Sequence, residues 1–96
     1  LVYAATKAAQ RNMILGLARE LGTDGINANN LEPGVIATAR NTAQIAAERE
    51  RLLSGIPVRR IGTPADLVGA ALLLCSDAGS YINGVNLWVD GGRHAG

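Results

Sequence analysis

The chain contains no phenylalanine, and aromatic residues of all kinds make up 3% of its 96 positions. Its core must therefore be assembled from Ala, Leu, Ile and Val. That is a thin supply for so short a chain, because small domains bury a low fraction of their surface. Cys75 is the single cysteine, so no internal disulfide can form and a reducing compartment fits. Charge is sparse as well, with 18% charged residues and a net charge of +1, which leaves no basic surplus to drive counterion release from a nucleic acid. No long apolar run occurs: the longest, Leu67 to Cys75, is broken by Gly69 and falls far short of the ~20 residues that span a bilayer. Neither a cationic-then-apolar leader nor a lipidation signal is visible. The expectation is a cytoplasmic protein with no nucleic-acid and no membrane partner.

What is present is 48% hydrophobic, too rich for a disordered tail or an acidic linker. Ninety-six residues allow one domain at most. Leu1 to Leu21 reads as a helix, alanine-rich and proline-free, with Ala9, Met13, Leu17 and Leu21 at four-residue steps. Gly22 supplies its stop. Ile26 to Leu31 is a short strand candidate weakened by Asn27, Asn29 and Asn30, which have poor strand propensity. Thr38 to Leu53 is a second helical region whose Glu48-Arg49-Glu50-Arg51 run is a solvated face. Thr63-Pro64-Ala65-Asp66 opens a third helix, with Thr63 as N-cap and Pro64 at the first helical position. That helix runs to about Ser76 and is apolar nearly all round, which predicts burial. Val85 to Val89 alternates as a strand should, and Arg93 to Gly96 reads as a frayed tail. The order helix, strand, helix, helix, strand implies an α/β fold with parallel strands joined by a right-handed crossover. Two such strands make a poor domain alone, since parallel sheets are wide and covered on both faces. Together with a start at Leu1, inside a helix, this leads to the expectation of a part of a longer protein.

Tyr3 and Lys7 stand four residues apart and share a helix face. A phenol with a pKa near ~10 exchanges protons poorly at neutral pH, and an ammonium held close favours its anion. The pair is thus a candidate general acid/base, although the same spacing arises by chance in many helices. Lys7 is the one lysine of the chain. Its compact ammonium suits a site where one cation meets several oxygens. Pro33-Gly34 ends the first strand with a sharp turn, and glycine there permits close approach of a ligand. In open parallel sheets ligands bind outside the carboxyl ends of strands, where this loop would stand. Val35 and Ile36 offer backbone amides there and Thr38 a hydroxyl, while the dipeptide taken alone is merely a turn. Asp90 reads as a turn cap. His94 has no second ligand nearby, so no metal site is expected.

Taken together, Tyr3-Ala4-Ala5-Thr6-Lys7, Ile26 to Thr38, Arg60 to Leu67, Tyr81-Ile82-Asn83-Gly84 and Val89-Asp90-Gly91-Gly92 resemble, in order and spacing, the C-terminal part of the short-chain dehydrogenase/reductase family. The resemblance implies the C-terminal portion of a Rossmann-type parallel sheet, with residues 1–96 one fragment of a single domain. It also implies hydride transfer between NAD or NADP and a carbonyl or alcohol. By this likeness Tyr3 exchanges the proton with the substrate oxygen, and Lys7 holds the nicotinamide ribose. Pro33, Gly34, Val35, Ile36 and Thr38 would contact the nicotinamide and its carboxamide. Residues from 39 to about 57 would form the substrate lid. The glycine-rich dinucleotide turn and the substrate-polarising serine have no counterpart here, so the isolated chain is expected to be inactive. Glu32 departs from the family's small or apolar residue and is expected to bear on substrate preference. Sugar or polyol substrates fit the Thr38-Ala39-Arg40-Asn41 run, with 3-oxoacyl substrates close behind. A homo-oligomer, tetramer or dimer, is implied, with the Tyr3 helix and the last strand as contact surfaces. The alternatives are an extended-branch epimerase or lyase, and a non-catalytic remnant or interaction module.

Overall fold

A computed structural model describes residues 1–96. It contains helix α1 (Val2–Leu21), strand β1 (Asn30–Pro33), helix α2 (Thr42–Ser54), helix α3 (Val68–Cys75) and strand β2 (Asn86–Val89), with short 3-10 turns between them. The two strands pair in parallel, as the crossover order predicts. The chain divides into two compact units, Leu1–Leu31 with Leu72–Leu87 and Glu32–Ala71 with Trp88–Gly96. No helix is long and apolar enough to cross a membrane.

In the first unit, α1 lays Ile14, Leu17, Ala18 and Leu21 inward, and Ala18 is buried. The α-helix ends at Leu21 with Gly22 as its C-cap, as expected, and Gly22 keeps a right-handed conformation that leads into a 3-10 turn over Gly22–Asp24. The reversal comes at Gly25, whose φ of +75° is one that β-carbon-bearing residues seldom adopt. Strand structure then begins at Asn30 rather than Ile26. The reason lies in the asparagines. Asn27 Nδ2 donates to the carbonyls of Gly79 and Ser80, and Asn29 Nδ2 donates to the carbonyl of Ile82. Asn29 Oδ1 accepts the Val85 N–H, and Asn83 Oδ1 accepts the Ala28 N–H. Side-chain amides thus take the place of ladder bonds over residues 26–29, satisfying backbone groups that would otherwise need a strand partner. Asn83 also reaches α1, donating from Nδ2 to the carbonyl of Ala18 at 3.0 Å. The regular ladder opens with the Asn30 N–H donating to Val85.

In the second unit, Ile45 of α2 and Ile56 just beyond it are buried, Ile56 to 2% exposure. The turn after β2 closes on Ile56: a β-carbon at Gly91 would come within 2.8 Å of Ile56 Cγ2. Helix α2 begins at Thr42, four residues later than its sequence pattern suggests, because residues 38–41 form a hydrogen-bonded turn. Thr63 takes the N-cap position as expected and forms a capping box with Asp66, but Pro64–Leu67 is a 3-10 turn and α3 proper starts at Val68. The burial expected of this helix is not observed. None of its residues is buried, and Val68 and Leu72 are more than half exposed, because no segment of the chain covers its outer face. The last residues are not frayed either. Arg93–Ala95 forms a 3-10 turn held by Asp90, which accepts the N–H groups of Gly92 and His94.

Candidate active site

Alanines at 4, 5, 8 and 9 give the start of α1 strong helix propensity, so the four-residue spacing becomes a physical juxtaposition. Lys7 Nζ lies 5.5 Å from the centroid of the Tyr3 ring, within reach of a cation–π contact. Lys7 is half-buried, in register with Arg11, Ile14, Ala18 and Leu21 on the packed side of the helix. Tyr3 is 75% exposed. The phenol is therefore open to a reacting group, with a cation beside its ring. Such a pair can donate a proton to an oxygen or take one from it.

The second unit carries Pro33, Gly34, Val35, Ile36 and Thr38 as one continuous loop at the carboxyl end of β1. Gly34 is required there by the packing of the strand ends. A β-carbon at Gly34 would stand 2.5 Å from Asp90 Cβ and 2.7 Å from Asp90 Cα, so the space is taken by the end of β2. The Gly34 N–H donates to the Val89 carbonyl at 3.0 Å. Two residues on, Ile36 forms an isolated parallel bridge with Gly62. The Gly62 N–H donates to Val35 and the Ala37 N–H donates to Gly62, at 2.9 and 2.8 Å. By strand alternation the N–H and C=O of Ile36 itself face the opposite edge. Its carbonyl accepts from Asn41 Nδ2 at 2.8 Å, while its N–H donates to no protein acceptor. The Thr38 hydroxyl is likewise unengaged, and Thr38 is exposed. A main-chain donor and a hydroxyl left open on one short loop fit a polar ligand group such as a carboxamide.

An arc of charged residues holds the bridge. Arg60 donates from both terminal nitrogens to Asp66 at 2.7 and 2.8 Å, and Asp66 Oδ2 also accepts the Thr63 N–H at 2.8 Å. The Arg60 guanidinium and then the Thr63 amide hold the Asp66 carboxyl well below the usual carboxylate range. Gly62 sits inside this arc, where a β-carbon would meet Ile36 Cδ1 at 2.7 Å. A cavity of about 140 Å³ is lined by Val35, Ile36, Ile56, Val58, Gly62 and Asp90 among others. Asp90, its side chain only 6% exposed, contacts His94 Nδ1 at 3.0 Å, and the His94 ring stacks on Trp88 at 4.7 Å. Burial pushes the Asp90 carboxyl up, but the donors from His94 and Gly92 outweigh it and leave the carboxyl below its ordinary value. Asn41, Gly62, Arg60 and Asp66 escaped the sequence reading as site residues. Only the Thr63 N-cap was a visible signal there.

The chain matches the family model described as enoyl-(acyl carrier protein) reductase over residues 1–94. It is 41% identical over 91 residues to the 7alpha-hydroxysteroid dehydrogenase of Escherichia coli (strain K12), covering 94% of this chain and 36% of that protein. It is 43% identical over 93 residues to the 2-dehydro-3-deoxy-D-gluconate 5-dehydrogenase of Pseudoalteromonas atlantica, with the same two coverages of 94% and 36%. Among solved structures, an Agrobacterium tumefaciens protein crystallised with bound NADP superposes with a TM-score of 0.88 at 38% identity, over 98% of this chain and 39% of that one. The chain thus spans little more than a third of the length of these relatives. It belongs to the short-chain dehydrogenase/reductase family, and its α/β architecture with parallel strands matches the Rossmann-type structures of that family.

Proposed function

We propose that the protein is an NAD- or NADP-dependent oxidoreductase that interconverts an alcohol and a carbonyl on a sugar or polyol. The observation that carries this reading is the exposed Tyr3 phenol with Lys7 Nζ 5.5 Å from its ring, in a chain of this family. The nicotinamide, when bound, supplies or accepts the hydride. Tyr3 gives its hydroxyl proton to the substrate oxygen during reduction and takes it back during oxidation. Lys7 keeps a cation beside the phenol and holds the nicotinamide ribose through the same ammonium. On the loop, the backbone of Pro33, Gly34 and Val35 lies against the nicotinamide. The Ile36 N–H and the Thr38 hydroxyl take its carboxamide, a role supported by their lack of protein partners. Residues 39–57, which include α2, cover the substrate.

The sugar or polyol class draws support from the 2-dehydro-3-deoxy-D-gluconate 5-dehydrogenase relative. A second reading, an acyl thioester substrate, is favoured by the description of the matching family model. The test is to incubate the native protein with NADH or NADPH and a panel of keto-sugars, keto-sugar acids and 3-oxoacyl thioesters. Loss of reduced-cofactor absorbance measures turnover. Highest kcat/KM on the sugar class supports the proposal, and preference for thioesters moves it to the second reading. No nicotinamide-dependent turnover on any substrate contradicts both. The whole protein is further proposed to assemble as a homo-oligomer, which light scattering of the native material tests directly.

A further inference from the structure

We propose that Asn41 is a positioning residue for the loop that takes the nicotinamide carboxamide, an inference that rests on the function proposed for that loop. Asn41 occupies the N-cap position of α2, where asparagine ordinarily turns its side-chain oxygen onto the first free amides of its own helix. Here it makes no such bond. Its carboxamide faces back along the chain instead. Nδ2 donates to the Ile36 carbonyl at 2.8 Å, and Oδ1 accepts the Thr38 N–H at 2.8 Å. The two partners fix the orientation of the amide, since a carbonyl can only accept and an N–H can only donate. Both bonds fall on the edge of the loop opposite Gly62, which bonds Val35 and Ala37. The backbone from Val35 to Thr38 is thereby held from two sides. The groups left open are the Ile36 N–H and the Thr38 hydroxyl, the two donors assigned to the carboxamide.

The chemistry of Asn41 is specific to this task. Aspartate would serve an N-cap at least as well, because its charge suits the positive end of the helix. It cannot serve the loop, because a carboxylate oxygen would then oppose the Ile36 carbonyl oxygen. Serine caps helices well too, but is too short to span both bonds. A helix-capping role and a loop-positioning role therefore predict opposite behaviour for Asn41→Asp.

The experiment compares the native protein with N41A and N41D by amide hydrogen exchange without cofactor, and by titration with NAD and NADP. Positioning predicts faster exchange of the Thr38 amide in N41A, with α2 protection unchanged. It also predicts a Kd for the preferred cofactor raised about three- to tenfold in both variants. Wild-type affinity in N41D, or a Thr38 amide whose exchange is unchanged in N41A, overturns the inference. A wild-type protein that binds a nicotinamide cofactor while both variants bind it equally well defeats the positioning role and leaves the proposed function intact. A wild-type protein that binds neither cofactor overturns both.

Discussion

Replacing Gly34 by alanine is a steric experiment with a calculable outcome. Gly34 has no positive φ, so alanine can adopt its backbone conformation and no conformational penalty enters. What alanine adds is a methyl group 2.5 Å from Asp90 Cβ and 2.7 Å from Asp90 Cα. Carbon atoms rest about 3.5–4.0 Å apart, so β1 and β2 must separate locally by about 1 Å. The neighbouring bond from the Gly34 N–H to the Val89 carbonyl, now 3.0 Å, would then lengthen towards about 4 Å and be lost. Overpacking of this kind costs about 1–3 kcal/mol and a lost backbone hydrogen bond about 1 kcal/mol, so G34A should destabilise by roughly 2–4 kcal/mol. Urea denaturation of the native protein and the variant measures it, as a lower midpoint at unchanged slope. Because Val35 and Ile36 follow directly, the Kd for the nicotinamide cofactor should also rise. A midpoint equal to wild type would refute the reasoning, since it would mean that the strand ends separate freely.

Asn83→Ala should cost about 1–2 kcal/mol, because it strands the Ala28 N–H and removes the second donor to the Ala18 carbonyl, which keeps the Gly22 N–H, and thermal denaturation reads the loss. The folded-state pKa values of Asp66 and Asp90 are lowered, so the unfolded chain binds more protons in acid. Their stabilisation is complete above the ordinary carboxylate range and fades as the pH falls through the folded-state values. Urea midpoints measured between about pH 5 and pH 2 should decline less steeply in D66N than in wild type. Lys7→Met should lower kcat and raise the cofactor KM together, as initial-rate kinetics would show, because the ammonium is assigned to both proton transfer and ribose binding.

Local features were legible in the sequence because their causes are local. The α1 pattern, the alternation of β2 and the Thr63 N-cap each depend on residues within one or two turns. The proximity of Tyr3 and Lys7 follows from helix geometry alone. The asparagines of residues 27–30 were read as poor strand formers, which is true of their propensity. Their partners lie more than fifty positions away, and no local rule could find them. Gly34 was read as a turn residue open to a ligand, and its packing against Asp90, more than fifty positions away, was not legible locally. Asn41 looked like part of a helix and proved to serve the loop before it. The apolar character of α3 was read correctly, but burial depends on what packs against a helix, which its own residues do not state.

In the proposed function the Tyr3 phenol carries the proton of a nicotinamide-dependent reaction. That role is tested most directly by Tyr3→Phe in the native protein, with turnover and cofactor binding measured side by side. Removing one hydroxyl from an exposed ring leaves the fold unchanged. The expected kcat is lower by about 10²–10⁴-fold, the usual contribution of a general acid or base, with the cofactor Kd nearly preserved. Wild-type turnover in Tyr3→Phe would contradict that role.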